Sequence, residues 1–521
     1  MAADSRSKVY ALNTAMAVGM SATSIVSALV VQRFFVNSLG LELLGLNGLF
    51  TNLVAMLAVA ELGFGSAIIY KLYKPLADDD RQRIARLMRF YRNGYRLVGS
   101  VVLLIGLVLI PATPLLAGTT SVDGFDVRWA FVLFLADSVF SYLFGYKRSM
   151  LYADRRNYVI NGVHLCAVVI MSAIQIAILL TSRDYYAFLL VRAASRLIEN
   201  IILSILVDRR YPFIRKPEGR LDGDERSDAL TQVRGLAYHR VAGFVVLGAD
   251  NIVLSVLLGL RAVGLYANYY MLYAAIVSIC GHMFEAVKST IGDFLVRQSA
   301  RTRTYGVFRQ LLLVNFVLAA LGSVGFIAAA DVVVEVWLGA EFRLGPEIAA
   351  AMAVALFFQL LRQTFHTFKE ASGVFYVDRW VPVAEALLHI VGSVALVGLF
   401  GIVGVPLASV LSTVFLFAYS YGHFVYLPLF GRSWQQYFGE LGRYVILGLL
   451  LMAGVAGVLL LWSPGMLVLD LLWRLAFAVL AVSFTLWAVF RRSDVYASVV
   501  ARASETLVAR SRKRPPREGG G

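Results

Sequence analysis

Three charged residues share one face of a strongly apolar segment, in the stretch "VRAASRLIEN". Arg192, Arg196 and Glu199 are spaced at i, i+4 and i+7, so on a helix they point to the same side. Charges in such an environment are costly unless they face a cavity or a partner. Because two guanidiniums accompany one carboxylate and suit phosphate-like oxygens, one interpretation of the pattern is a cationic cavity wall. The alternative is a buried network that includes Asp137 or Asp250.

Two further sets of charged residues interrupt apolar segments of the chain. The first set could guide an anionic headgroup, or could extend its charged ends to the membrane interface: Arg240, Lys288 and Arg362. The second set is acidic and has a candidate role in ion coupling or gating: Glu61, Asp137, Glu199 and Asp250. Glu61 precedes "LGFGS", whose glycines permit a kink or close helix packing, and a structural pair with an arginine is the alternative.

No residue spacing in the sequence matches a metal, cofactor or catalytic site. Cys166 and Cys280 lie alone inside apolar segments, which excludes a disulfide framework and metal-ligand spacing. Four histidines fall singly on different segments: His164, His282, His366 and His389. A phosphate-cradling P-loop is also absent. We therefore expect no cofactor and no enzymatic activity.

The elements that must position these residues are membrane-spanning helices. The chain has 521 residues, of which 59% are hydrophobic and 16% charged, and its mean hydropathy is +0.73. Apolar runs of about 20 residues recur, which is the length that crosses a bilayer as a helix. We predict an all-α polytopic membrane protein of about 14 helices, at 10–33, 44–70, 95–117, 128–148, 157–181, 185–206, 234–257, 264–290, 306–330, 346–368, 380–400, 403–427, 441–462 and 467–490.

Basic residues alternate from loop to loop and orient these helices. One set of loops is rich in arginine and lysine, whereas the loops between them are short and hold at most one basic residue each. By the positive-inside rule both termini are cytoplasmic. The net charge of +15 then reflects cytoplasmic loops, and we expect no nucleic-acid partner.

Two cytoplasmic segments have the features of membrane-surface elements. After "ADDD", which contains an N-cap signal, Ile84, Leu87, Met88 and Tyr91 form an apolar stripe and arginines form another. This pattern predicts a basic amphipathic helix on the membrane surface. The basic tail at 508–521 is predicted to contact anionic lipids, with a plain solvated tail as the alternative.

Two pairs of matching junctions indicate an internal duplication. "LGLELLGL" at 39–46 and "LGLRAVGL" at 258–265 agree at five of eight positions, at an offset of 219. The motif Tyr-x-Asp-Arg at 152–155 recurs at 376–379, at an offset of 224. Two matches in order predict two six-helix units that enter the membrane from the same side. For the second motif, a capped loop is the alternative to a cytoplasmic gate contact.

The predicted boundaries follow from this repeat. They are an N-terminal six-helix bundle, a cytoplasmic linker, a second six-helix bundle, two additional helices and a basic tail, at 1–206, 207–233, 234–427, 428–490 and 491–521 respectively. Transporters with parallel repeats hold their substrate between such units and work by rocking.

The first junction also carries a family resemblance. The stretch "LGLELLGLNGLFTNLVAMLAVAELGFGSAIIYKLYKPLADDD", 39–80, resembles the second-helix region of Wzx-type polysaccharide flippases, which belong to the multidrug/oligosaccharidyl-lipid/polysaccharide (MOP) exporter superfamily. The residues that carry it are Glu61, Gly63, Gly65, the "SAI" at 66–68 and Lys74 with Pro75. The resemblance is strong over residues 1–120 and mainly architectural elsewhere.

This resemblance implies a fold, a substrate and partners. The fold is two six-helix bundles of the MATE-like type, often with two more helices. The implied activity is export of undecaprenyl-diphosphate-linked oligosaccharide to the outer leaflet of a bacterial cell membrane, with a polysaccharide polymerase and glycosyltransferases as candidate partners. More distantly, the chain resembles lipid II flippases, which keep functional arginines on their first helix. Here that helix has no charge between Lys8 and Arg33, which disfavours a peptidoglycan precursor.

Three functions are compatible with the sequence. The favoured one is alternating-access transfer of a lipid-linked oligosaccharide, driven by an ion gradient, the membrane potential or the substrate gradient. The second, a multidrug/cation antiporter of the same superfamily, needs an acidic cavity, which the surplus arginines disfavour. The third, a membrane glycan polymerase or ligase, needs a long outer loop with catalytic residues, whereas the predicted outer loops have about 15 residues or fewer.

Overall fold

A computed structural model shows a helical protein, and the residues that it describes contain no β-strand. The described residues are 2–57, 64–118, 125–215, 221–223, 225–227, 248–297, 301–372, 378, 380–461, 467–499 and 501. The predicted all-α class is therefore confirmed for this part of the chain. The basic tail at 508–521 lies outside it, as do Glu61 and Arg240.

The first compact unit comprises Met1–Ala267 with Ser393–Ile402. Its most extensive helix pairs are α5 with α7 and α1 with α6, followed by α3 with α5. The helices of this part of the chain are α1 (Ala2–Leu57), α2 (Phe64–Ala77), α3 (Arg81–Leu109), α4 (Thr113–Ala117), α5 (Val127–Ala153), α6 (Asn157–Thr181), α7 (Tyr185–Arg210) and α8 (Gly248–Leu258).

The second compact unit comprises Asn268–Gly392 with Val403–Gly521. Helix α10 is its central element, since it packs along α11, α16 and α17. The helices from here on are α9 (Leu260–Arg297), α10 (Arg301–Trp337), α11 (Pro346–Leu361), α12 (Gln363–Ala371), α13 (Val381–Phe400), α14 (Gly404–Phe415), α15 (Leu427–Phe430), α16 (Trp434–Leu461) and α17 (Leu467–Phe490). Residues 260–267 of α9 and 393–400 of α13 belong to the first unit. A π-helical segment, Leu416–Tyr426, joins α14 to α15.

Ten segments among the described residues are long and apolar enough to cross a membrane, which supports a multi-pass membrane protein. The predicted number of 14 helices is not confirmed. One of the ten, Val381–Phe430, covers two of the predicted helices, and α7 is not among them. Helix α7 does not qualify because Arg192, Arg196 and Glu199 interrupt its apolar sequence. The domain boundaries and the cytoplasmic location of both termini stay predictions.

The apolar stripe of α3 packs inside the protein and not on a membrane surface. Asp80 is the N-cap of α3, as predicted, and its side chain accepts a hydrogen bond from the backbone N–H of Arg83 at 2.9 Å. The stripe joins a core that also contains Leu72, Tyr146 and Val207; its residues Ile84, Leu87, Met88 and Tyr91 are all buried. The predicted interfacial helix was wrong because an amphipathic pattern does not distinguish a protein core from a lipid surface.

Loss of this cap should have a small, local effect. Asp80→Ala removes the acceptor for one of the free N–H groups of the first turn of α3, so the folded state should lose about 1 kcal/mol. Asp80→Asn keeps an acceptor and should melt close to the native chain in a thermal-shift measurement in detergent. Asp78→Ala, an exposed neighbour, is the matched control, and an equal loss in that variant would contradict the assignment.

The two repeated junctions contact each other in the first unit. Gly40 and Gly259 occupy the same position in the two motifs, and both have positive φ, 83° and 86°. A Cβ atom built on Gly45 would overlap the carbonyl oxygen of Leu260, and one built on Gly264 would overlap that of Leu41. The contact is thus reciprocal, because both glycine–leucine pairs are related by the offset of 219. This geometry supports the internal duplication.

Candidate functional site

The charged face of α7 lies where α5, α6 and α7 pack together, within the first unit. Asp184 caps the start of α7 by accepting from the backbone N–H groups of Tyr186 and Ala187. From that start the helix runs unbroken to Arg210, which places Arg192, Arg196 and Glu199 on one face as predicted. Helix geometry therefore brings these side chains towards the polar residues of its neighbours.

Asp137 of α5 lies between the two arginines. Its Oδ2 is 3.3 Å from Nε of Arg192, and its Oδ1 is 3.4 Å from Nε of Arg196. The Arg192 guanidinium also lies over the ring of Phe134, with 4.7 Å from its carbon to the ring centre. Arg192 and Arg196 therefore form the ion-pair network with Asp137 that the sequence offered as the alternative to a cationic cavity wall. Asp250, on α8, is partly buried.

Glu199 joins all three helices. Its Oε1 accepts from Nη2 of Arg148 on α5 at 2.8 Å, and its Oε2 lies 3.1 Å from Nδ1 of His164 on α6. Arg196 is farther away, with 3.8 Å from Nη1 to Oε2. We use the name guanidinium cluster for five residues: Arg148, Arg192, Arg196, Asp137 and Glu199.

In the guanidinium cluster the carboxylates are more deeply buried than the arginines. The side chains of Glu199 and Asp137 are 4% and 11% exposed, whereas those of the three arginines are 25–33% exposed. Three guanidiniums face two carboxylates, which leaves one net positive charge. Each arginine thus has a carboxylate partner in the absence of a ligand, and its side chain remains a quarter to a third exposed, so that its N–H donors can also meet an anion.

Two members of this site were missed from the sequence. Arg148 is the last residue of the predicted helix 128–148 and was interpreted as one of the basic residues that mark the following cytoplasmic loop, but α5 continues to Ala153. A signal was present, since Asp137 and Arg148 are 11 residues apart and fall on one helix face. For His164 no local pattern exists, because its contact with Glu199 depends on the packing of α6 on α7.

An apolar groove lies between α6 and α7 beside the guanidinium cluster. Its volume is about 410 Å³, and Glu199 is its one charged lining residue. Cys166, which is exposed, lies in the groove, and so does Ile170, whose exposed fraction is 59%. Glu199 therefore belongs both to the groove and to the cluster.

Two of the other predicted cations, Lys288 and Arg362, are paired with carboxylates in the second unit, and Arg240 lies outside the described residues. Nζ of Lys288 is 2.6 Å from Oε2 of Glu370, and Nη1 of Arg362 is 3.0 Å from Oε1 of Glu385. Each of these two pairs is neutral, in contrast to the guanidinium cluster. Their proposed role in guiding an anionic headgroup stays a prediction.

The two Tyr-x-Asp-Arg corners form local ion pairs. Asp154 accepts from Nε of Arg156 at 2.6 Å and also from the hydroxyl of Tyr211, which lies just beyond the end of α7. Burial, followed by this hydrogen bond, raises the pKa of Tyr211, so its hydroxyl stays protonated and continues to donate. At the second corner Asp378 is buried and pairs with Lys369. Each corner's contacts lie within a single unit, those of Asp154 in the first and that of Asp378 in the second. This favours the predicted capped loop over a cytoplasmic gate contact.

Metal binding has no support in the part of the chain that the structure describes. No group of three or more His, Cys, Asp and Glu side chains there is arranged to hold a metal ion.

Comparisons with known proteins concern the fold. No protein-family model and no curated protein matches the sequence. Among solved structures, the lipid II flippase MurJ in an inward closed conformation has a TM-score of 0.61 at 11% identity, over 92% of this chain and 99% of that chain. An inward-facing multidrug resistance MATE family transporter of the MOP superfamily has a TM-score of 0.57 at 13% identity, over 75% and 92%. A MOP superfamily transporter from Pyrococcus furiosus gives 0.51 at 12% identity, over 78% and 93%.

Proposed function

On the premise that this chain has the fold of MOP-superfamily transporters, we propose that it is a Wzx-type flippase. It would transfer an undecaprenyl-diphosphate-linked oligosaccharide from the cytoplasmic to the outer leaflet by alternating access, for cell-surface polysaccharide synthesis. The observation that carries the proposal is that Glu199 belongs both to a net positive guanidinium cluster and to the lining of an apolar groove. A lipid-linked diphosphate has the same two parts, an anion and a hydrocarbon chain, directly joined.

The charge balance of the cluster fits a substrate that must be released again. A diphosphate that approaches Arg192 and Arg196 competes with Asp137 for the same guanidinium donors. Binding is then an exchange of anionic partners, which costs less than exposing an unpaired buried charge. After release, Asp137 returns to the arginines, and the empty site stays electrostatically satisfied.

The same charge balance disfavours the antiporter alternative. A cationic drug would meet one net positive charge at the guanidinium cluster, and like charges repel strongly where water is scarce. In the favoured proposal the protein lies in a bacterial cell membrane with both termini cytoplasmic. Its partners there are the lipid-linked oligosaccharide, anionic lipids, and a polymerase and glycosyltransferases, and it performs no enzymatic step.

A photo-crosslinking amino acid placed in the groove tests this proposal. At Ile170 it should capture a labelled undecaprenyl-diphosphate-linked oligosaccharide through the isoprenoid, because the residue lines the groove. Leu104 of α3 is the matched control, since it is similarly exposed, at 63% against 59%, and does not line the groove. Capture should be several times greater at Ile170, and excess unlabelled substrate should suppress it. Equal capture at both positions would contradict a groove that holds the substrate lipid.

A further inference from the structure

Helix α3 has two faces of different character along its length. One face is buried in the first unit and includes Ile84, Tyr91 and Val102. The opposite face is partly or fully exposed, and its chemistry changes at Leu97. From this residue onwards it includes apolar side chains that are 48–77% exposed: Leu97, Leu104, Leu107 and Val108. Before it the same side of the helix carries four arginines: Arg86, Arg89, Arg92 and Arg96.

This change of chemistry sets the depth of α3 in the membrane. The segment Arg81–Ala117 is long and apolar enough to cross a bilayer, and exposed leucines on such a helix face hydrocarbon. Arg96 is exposed and directly precedes Leu97, so its guanidinium lies where hydrocarbon ends and headgroups begin. Arg92 is four residues, about 6 Å, farther along, which is still within a headgroup layer of about 5–8 Å. Arg86, about 15 Å from Arg96, lies beyond that layer.

In the part of the chain that the structure describes, Arg92 and Arg96 have no carboxylate partner. Both lie near the hydroxyl of Tyr146 on α5, which is neutral at physiological pH. The acidic residue close to this hydroxyl, Asp208, is already paired, since its Oδ2 is 2.7 Å from Nζ of Lys147. Two positive charges at this depth are therefore available to an anion from outside the protein.

The anion that fits these two arginines is the phosphate of a membrane lipid. Residues four apart on a helix are neighbours, with about 5–6 Å between their Cβ atoms, so Arg92 and Arg96 can meet one phosphate together. A guanidinium presents a planar set of N–H donors that matches phosphate oxygens. In choline and ethanolamine headgroups a cation accompanies the phosphate, and the arginines repel it. A glycerol headgroup has no such cation, so it keeps its full negative charge.

We propose that Arg92 and Arg96 form a binding site for an anionic phospholipid of the phosphatidylglycerol class. The phosphate accepts hydrogen bonds from both guanidiniums, and an acyl chain lies along Leu97 and Leu104. The lipid contact is thus made by the exposed face of α3, whereas its apolar stripe packs in the protein core. The site shares no residue with the guanidinium cluster, so it is independent of the proposed transport function.

Photo-crosslinking in proteoliposomes tests this site with the full chain. A photo-crosslinking amino acid replaces Asn93, which is exposed and lies between the two arginines in the sequence. The vesicles contain dioleoyl phosphatidylglycerol and dioleoyl phosphatidylcholine in equal amounts, and one of the two is labelled at a time. Each surface arginine strengthens binding of an anionic lipid about fivefold, so phosphatidylglycerol should be captured in at least fivefold excess. Inorganic phosphate at constant ionic strength should not suppress this capture, because it lacks acyl chains.

Charge-neutral variants locate the site. Arg92→Gln combined with Arg96→Gln should abolish the preference for phosphatidylglycerol. Arg96→Gln alone, at an exposed position, should reduce the preference about fivefold and replaces the double variant if that does not fold. Arg86→Gln is the matched control, since it removes an equal charge from the same helix beyond the headgroup layer and should keep the preference.

Four results would overturn the proposal. They are equal capture of the two lipids by the native chain, an undiminished preference in the double variant, an equal loss in Arg86→Gln, and suppression of capture by inorganic phosphate. None of these measurements uses a transport substrate, so they are decided separately from the proposed flippase function.

Discussion

Replacing Arg192 and Arg196 together with alanine should lower transfer of a lipid-linked diphosphate about a hundredfold. A hydrogen bond to a charged group contributes about 1.5–3 kcal/mol, and about 1.4 kcal/mol corresponds to a factor of ten. The change also reverses the cluster's charge, since Arg148 alone would face Asp137 and Glu199. A diphosphate would then meet a net negative site. In cells the measurement is the amount of surface polysaccharide at equal amounts of membrane-inserted protein.

Two matched variants separate this effect from misfolding. The double substitution leaves Asp137, 11% exposed, without both guanidinium partners, so a companion variant that adds Asp137→Asn removes the unpaired charge. That triple variant should fold and still transfer poorly. Arg183→Ala removes an exposed arginine just before α7 and should transfer normally. Normal polysaccharide from a well-expressed double variant would reject the role of the two arginines.

Gly45→Ala and Gly264→Ala should each prevent the accumulation of folded protein. The added Cβ would overlap a backbone carbonyl, of Leu260 in the first case and of Leu41 in the second. A side chain could rotate away, but a helix backbone must shift as a whole, so the cost should be at least about 3 kcal/mol. The measurement is the folded fraction by fluorescence-detected gel filtration after mild solubilisation, together with the melting temperature of what remains.

Two helical glycines with open surroundings provide the control. Nothing lies within 4 Å of a Cβ built on Gly19 of α1 or on Gly281 of α9. Alanine there should be tolerated and should favour the helix by up to about 1 kcal/mol. If Gly45→Ala folded as well as Gly19→Ala, the close contact between the two junctions would be wrong.

The repeated junctions show how much of this fold local sequence determines. The match between 39–46 and 258–265 predicted two equivalent junctions, and in the structure Gly40 and Gly259 have nearly equal positive φ, 83° and 86°. It could not show that the junctions touch, because contact between segments more than 200 residues apart depends on packing. Helix ends were less predictable: the helix predicted at 95–117 begins at Arg81, as α3, and so includes basic residues at which hydropathy falls, and α5 continues five residues past its predicted end at 148. A charged side chain lowers the local hydropathy but does not end a helix.

The candidate site shows the same division between local and long-range information. Helix periodicity was sufficient to place Arg192, Arg196 and Glu199 on one face. The ion partners could not be assigned in that way. No partner for Lys288 or Arg362 could be identified from the sequence. In the structure Glu370 pairs with Lys288 and Glu385 pairs with Arg362, each from another helix. Which carboxylate meets which cation depends on helix packing, which one sequence does not contain.

The most direct test of the proposed function is leaflet transfer in proteoliposomes. The native chain, the Arg192/Arg196/Asp137 triple variant and Arg183→Ala would be reconstituted with a labelled undecaprenyl-diphosphate-linked oligosaccharide, and its exposure on the opposite leaflet followed over time. We predict transfer by the native chain and Arg183→Ala, and transfer by the triple variant near that of protein-free vesicles. Failure of folded native protein to exceed protein-free vesicles, with and without an imposed ion gradient, would contradict the proposed function.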